Sequence, residues 1–167
     1  MLKRLKSSGR TVFLVTNSLW DYTHVVMNFL IEARTINSSS SLSSNWLQYF
    51  DFVITGSAKP SFFHDKNHAS LFAVETESGK LINTDNGTPL AQVGSPAVEL
   101  RDQIPNKHCK VFQGGNVSHL HKLLNVGSSS QVLYVGDHIY GDILRSKKAL
   151  GTIFCIPDVM YYIIVLF

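Results

Sequence analysis

Three apolar runs in this chain stop in the same way, and that shared ending constrains its architecture more than any other feature. Thr11–Thr16 leads into "TNS", Phe50–Thr55 leads into "GSAKP", and Val132–Val135 leads into "GDHIYGD". Each run is continuous rather than alternating and is rich in β-formers, as expected of a strand covered on both faces. Segments with helical patterns separate the strands, so the pattern predicts an α/β fold with a parallel sheet and right-handed crossovers. In such sheets ligands bind just beyond the carboxyl ends of the strands. An apolar run that breaks off into Thr-Asn, Lys-Pro or Gly-Asp therefore marks where a site belongs.

The remaining elements follow from local signals. Lys3 to Ser8 reads as the end of a helix stopped by Gly9. Asp21 can cap a helix running to about Glu32, with Val25, Val26, Phe29 and Leu30 as its apolar face. The Ser-rich stretch from Thr35 to Asn45 is a low-complexity loop. "SLFAVETESGKLINTDNGTPL" alternates short β-like runs with the turn signals Ser78-Gly79 and Asn86-Gly87, which predicts a β-hairpin excursion leaving the main sheet. Beyond it come a strand at Lys110–Gln113, a helix capped by Asn116 and ending at Leu124, a helix from Asp142 to Leu150, and a strand from Thr152 to Ile156.

Composition narrows the function classes. A formal net charge of +3 is modest, and the basic residues cluster only in "MLKRLK" and "RSKK". Both read as solvated helix faces, so neither nucleic acid nor a membrane surface is expected as a partner. The apolar tail "VMYYIIVLF" is far shorter than the ~20 residues that span a bilayer. Cys109 and Cys155 lie in apolar, strand-like contexts, which favours buried thiols in a reducing, cytoplasmic setting over a disulfide framework or zinc site. His64 and His68 lack an evident third ligand, and His119 and His121 do not share a helical face, so neither pair is assigned a role.

At the strand ends, four polar groups from distant parts of the sequence converge on one edge. Thr16 offers a hydroxyl, Asn17 an amide, Lys59 a fixed positive charge, and Asp137 a hard oxygen ligand of the kind Mg²⁺ takes. Asp142 follows closely enough to support a metal's outer shell or cap a helix. The set predicts a phosphate and metal site. Trp20, Tyr22 and Trp46 read as packing around it.

"TNS", the isolated Lys-Pro and "GDHIYGD", each after a strand and in this order, resemble motifs two to four of the haloacid dehalogenase superfamily. Within it, "VFLVTNSLWDYTHVVMNFL", "YFDFVITGSAKPSFF" and "YVGDHIYGDILRSKKALG" resemble the cytosolic purine 5′-nucleotidase family and its domain-containing relatives, over about Leu2 to Pro157. The resemblance implies a Rossmann-like parallel sheet of the haloacid dehalogenase type. It also implies hydrolysis of nucleoside monophosphates with Mg²⁺ through an aspartyl-phosphate. By position, Thr16 and Asn17 would hold the phosphoryl group, Lys59 would neutralise charge as phosphate ligand and catalytic residue, and Asp137 would bind the metal, with Asp142 in support.

The departures from that pattern are as informative. Motif one of the superfamily is Asp-x-Asp on the first, central strand, and no two aspartates here are separated by a single residue. The nucleophile is absent, and the missing strand belongs between those ending at Thr16 and Asp137. The chain therefore reads as the C-terminal part of a longer enzyme, expected to be inactive by itself. Residues 1–157 form a partial core with a hairpin insertion at about 64–108, and 158–167 an atypical apolar tail. The alternative is a non-catalytic relic that binds phosphate, or that associates as a homo-oligomer or with a full-length homologue. The edges beside the missing strand are expected to be unpaired.

Overall fold

The computed structural model describes residues 1–32, 44–64, 66–84, 110–126, 132–136, 142, 144 and 146, and the backbone of 152–155 and 164–166. The helices are α1 (Leu2–Ser7), α2 (Trp20–Glu32) and α3 (Val117–Leu124). The strands are β1 (Val12–Val15), β2 (Phe52–Thr55), β3 (Leu71–Val74), β4 (Leu81–Asn83), β5 (Lys110–Gly114), β6 (Val132–Gly136), β7 (Thr152–Cys155) and β8 (Ile164–Leu166). All eight strands join one mixed sheet in the order β4-β3-β5-β2-β1-β8-β6-β7.

The parallel part is the one the continuous apolar runs require. β1 pairs with β2 and β2 with β5, all parallel, and β6 pairs in parallel with β7. Every residue of β1 and β2 is buried. Alternate positions feed two cores on opposite faces of the sheet. Phe13, Val15, Phe52, Ile54, Phe112 and Tyr134 contribute to one, and Val12, Leu14, Val53 and Val111 to the other, where Trp20, Trp46 and Phe50 join them.

Three features differ from the sequence reading. The β3–β4 hairpin forms, but it does not leave the sheet: β3 lies antiparallel to β5, so the hairpin extends the sheet edge. Residues 85–108 of the proposed insertion, the Ser-rich loop up to Ser43 and most of the 142–150 segment lie outside the described residues. Helix α2 packs with a different face from the one expected. Val25 and Phe29 are 53% and 70% exposed. Trp20, Thr23 and Asn28 are buried instead, with Met27 and Ile31 against the core. Aromatic packing decides the rotation, because Trp20 stacks near both His24 (4.8 Å) and Trp46 (5.8 Å). A count of aliphatic residues alone does not see those partners.

The third difference is at the centre. The place between β1 and β6, expected to be empty, holds β8, which comes from the apolar tail. It runs antiparallel to both neighbours, pairing Val165 with Val12 and Ile164 with Phe13 on one side, and residues 164–166 with Val132–Tyr134 on the other. The expectation of unpaired edges there is therefore overturned for the described strands. A tail with strong β-propensity satisfies backbone groups that a bare edge would leave open.

Candidate active site

Because β8 is antiparallel to both β1 and β6, those two strands point the same way, and their carboxyl ends lie on one edge with that of β2. The loops leaving β1 and β2 continue the pairing past the strand ends. The Ser57 amide donates to the Thr16 carbonyl (3.0 Å), and the Gly56 amide to the Ser18 carbonyl (2.8 Å). The Thr16 hydroxyl accepts from the Ser18 amide at 3.1 Å, which turns the chain sharply after the strand.

Asn17 fastens the two loops together. Its Oδ1 accepts from the Lys59 amide (2.6 Å) and the Ser57 hydroxyl (3.0 Å), while its Nδ2 donates to the Lys59 carbonyl (3.0 Å). It thus grips both backbone groups of Lys59. The grip matters because Ala58, just before it, sits at φ +55°, a left-handed conformation that costs an L-residue roughly 1–2 kcal/mol. The Lys59–Pro60 peptide is cis.

Held this way, the Lys59 side chain runs inward and is 3% exposed. Its Nζ donates to the Val15 carbonyl (3.1 Å), the Tyr134 hydroxyl (3.1 Å) and Asp142 Oδ1 (2.8 Å). Tyr134 in turn donates to the same Asp142 oxygen at 2.5 Å. The Asp142 carboxylate is 2% exposed, so this is a buried ion pair with a neutral hydroxyl bridging it. Such a pair persists only when hydrogen bonds satisfy both charges, as they do here. Phe63 packs edge-on to Tyr134 at 5.2 Å and closes one side.

Gly136, the last residue of β6, is required by this arrangement. A Cβ there would come 2.7 Å from Asp142 Cβ and 2.8 Å from its Cγ. Only glycine lets the strand end approach the acid so closely.

Of the residues expected from the sequence, Thr16, Asn17, Lys59 and Asp142 converge on this edge; Asp137 lies outside the described residues. Tyr134 and Ser57 complete the cluster without having been anticipated. Tyr134 carries the one clue, a phenol among aliphatic residues in a strand. Trp20 and Trp46 are core residues, 4% and 0% exposed, whereas Tyr22 is 66% exposed. His119 has a structural role: its Nδ1 accepts from the Asn116 amide at 3.3 Å, completing a capping box at the start of α3.

Among the described residues no group of three or more His, Cys, Asp or Glu converges to hold a metal ion. Oδ1 of Asp142 is already shared by Lys59 and Tyr134, which suits that acid to a supporting place rather than to direct ligation.

A polar cluster at the carboxyl edge of parallel strands, with a buried lysine on an Asn-pinned loop, marks an α/β protein whose candidate site lies where ligands of such sheets bind. Comparison with known families gives a narrower assignment. A model described as the 5' nucleotidase family matches residues 1–163. The chain belongs to that family. It is also 25% identical over 152 residues to a 5'-nucleotidase domain-containing protein of Dictyostelium discoideum, covering 90% of this chain and 21% of that protein. The chain thus spans about a fifth of the length of that curated relative. Among the described residues no helix is long and apolar enough to cross a membrane.

Proposed function

We propose that this chain is the C-terminal part of a cytoplasmic, Mg²⁺-dependent 5'-nucleotidase, with a core of the haloacid dehalogenase type over 1–157, that hydrolyses nucleoside monophosphates through an aspartyl-phosphate. The observation that carries the reading is the convergence of Thr16, Asn17, Lys59 and Asp142 on one strand edge, within a chain that belongs to the 5' nucleotidase family. Thr16 and Asn17 bind the phosphoryl group, and Asn17 also orients the Lys59 loop. Lys59 supplies positive charge against the charge that develops during transfer. Asp137 would hold Mg²⁺, and Asp142 orients Lys59 from the inside. Bound there, Mg²⁺ would supply Lewis-acid charge to a phosphoryl oxygen.

Without the Asp-x-Asp carboxylate that the family's first motif supplies, these residues bind and position but do not form an acyl-phosphate. The chain by itself is therefore expected to release no phosphate from any nucleoside monophosphate with Mg²⁺ present. Joined to a nucleophile-bearing strand from a family member, it should turn over. Asp137→Asn should then abolish the response to Mg²⁺, and Lys59→Ala should lower the rate by about 10²-fold or more. Phosphate release by the chain alone, or a joined enzyme indifferent to both substitutions, would rule the reading out.

A second reading has its own support. The three N–H groups of the Lys59 ammonium already meet three acceptors: Val15, Tyr134 and Asp142. A lysine so satisfied is also what a non-catalytic, phosphate- or partner-binding relic would retain. Isothermal titration with inorganic phosphate separates the two. Millimolar or tighter binding that Asn17→Ala removes, with no turnover in the joined enzyme, favours the relic.

A further inference from the structure

Tyr134 is the only polar side chain in β6, and packing does not explain its polarity. Its ring is 0% exposed and lies in the apolar core with Val15, Phe62, Phe63 and Val132, a place that phenylalanine would fill as well. A buried hydroxyl costs free energy unless it is hydrogen-bonded. Here the phenol oxygen bonds to both ions of the pair. It donates to Asp142 Oδ1 (2.5 Å) and accepts from Lys59 Nζ (3.1 Å), while Lys59 reaches that same carboxylate oxygen at 2.8 Å. The polar atoms form a closed triangle, so a shift of the phenol oxygen disturbs both ends of the ion pair.

The ring itself is held by the loop that carries Lys59. Phe63, in the short turn Ser61–Phe63, meets Tyr134 edge-on at 5.2 Å. Gly136, two residues along the same face of β6, leaves room for it, since a Cβ there would come 3.1 Å from Tyr134 Cε1. The chain from Lys59 to Phe63 thus clamps the phenol that receives the Lys59 ammonium. Val15, Tyr134 and Asp142 present their acceptors from separate stretches of chain. Three such acceptors fix the direction of an ammonium, whereas two leave it able to rock.

On the reading that Lys59 supplies charge during phosphoryl transfer, we propose that Tyr134 is a positioning residue for Lys59: its hydroxyl, bonded to both ions, aims the ammonium and keeps the carboxylate in place beside it. A charge aimed in advance needs no reorganisation as the reacting group develops its own charge. The Lys59 ammonium also lies 5.8 Å from the centre of the Tyr134 ring, a contact that phenylalanine preserves. Tyr134→Phe therefore isolates the hydroxyl from the ring.

The NMR resonance of the Lys59 ammonium in the full chain tests the positioning. In Tyr134→Phe the ammonium protons should exchange with water at least about tenfold faster than in the unsubstituted chain, while the amides of Val53 and Phe112 keep their protection. Unchanged ammonium exchange would overturn the proposal. In the joined enzyme the same substitution should lower kcat about tenfold or more with KM nearly unchanged, a split that lost packing alone would not produce. A joined enzyme slowed by Lys59→Ala but not by Tyr134→Phe would also overturn the proposal, while leaving the reading of Lys59 intact. A joined enzyme without turnover would defeat that reading instead, and the ammonium exchange would still decide whether Tyr134 positions Lys59. Should Tyr134→Phe fail to fold, Phe63→Leu takes its place, because it slackens the ring and keeps the hydroxyl. Faster ammonium exchange in that variant supports the proposal, and exchange as slow as in the unsubstituted chain overturns it.

Discussion

Two buried polar clusters sit on opposite faces of the sheet and solve the same problem differently. On the face of Phe13 and Val15, Lys59 is buried as a charge and matched by an opposite charge, with Tyr134 between them. On the face of Val12 and Leu14, His24 is kept neutral. Its Nδ1 accepts from Trp46 Nε1 at 3.2 Å, and its Nε2 faces the Asn28 amide, also at 3.2 Å. Trp46 can only donate, so Nδ1 of His24 carries no proton in this contact. Burial holds the pKa of His24 below its ordinary value. The second cluster fixes α2 against the core and could be replaced by apolar packing. The first keeps a charge where ligands of such sheets bind, which is what makes it the candidate site.

The largest effect expected from this contrast comes from breaking the charged pair. Asp142→Ala leaves the Lys59 ammonium buried without its counter-charge and should cost about 3–5 kcal/mol by denaturant titration. Lys59→Met combined with Asp142→Asn removes both charges, leaves Tyr134 an acceptor, and should recover most of that loss. A double variant no better than the single one would mean that shape, not charge, governs the cluster.

Asn17→Ala removes three hydrogen bonds from the Lys59 loop and should destabilise by about 1–3 kcal/mol. An unchanged denaturation midpoint would show that the left-handed turn at Ala58 holds without the Asn17 grip. On the neutral face, Trp46→Phe keeps most of the ring packing but loses the bond to His24. About 1 kcal/mol is the expected cost, read from the same titration.

The smallest effect is in the pH dependence. Desolvation lowers the pKa of both His24 and His121 from 6.5. Above that value both folded and unfolded chains are neutral at these positions, and the full stability is present. As pH falls through 6.5 the unfolded chain binds protons that the folded chain refuses, so stability declines until the lowered folded values are reached. Thermal melts between pH 8 and 5 should show that decline, and His24→Gln should flatten it in part. A slope unchanged in His24→Gln would assign the effect elsewhere.

The contrast also shows what could be read from the sequence. The placement of Thr16, Asn17 and Lys59 just past strand ends was legible because a strand's end is written locally, in an apolar run and the polar residues that stop it. The Asn116 cap was legible for the same reason. The bonds that make Lys59 a buried charge were not, since its partners Tyr134 and Asp142 lie 75 and 83 residues away with no periodicity to announce them. The face of α2 differs from the expected one because Trp20 packs on Trp46, His24 accepts from Trp46, and Asn28 meets His24, contacts that an aliphatic count does not register. The tail is shorter than a bilayer span, and length alone does not announce a strand. Its place in the sheet depended on a gap between two strands far upstream.

That gap has a consequence for how the molecule comes to be assembled. β8 follows every other strand in sequence yet lies between two of them, so Phe13 meets Ile164 only after nearly the whole chain has been searched. Contacts of such long separation form late and slow the reaction that needs them. The β2–β5 ladder can close first, while β1 and β6 wait as open, apolar edges. In pulse-labelled refolding the Val53 amide should gain protection before that of Phe13. During the interval between them the chain is most open to pairing with a neighbour, which makes protein concentration during refolding the variable that decides its yield.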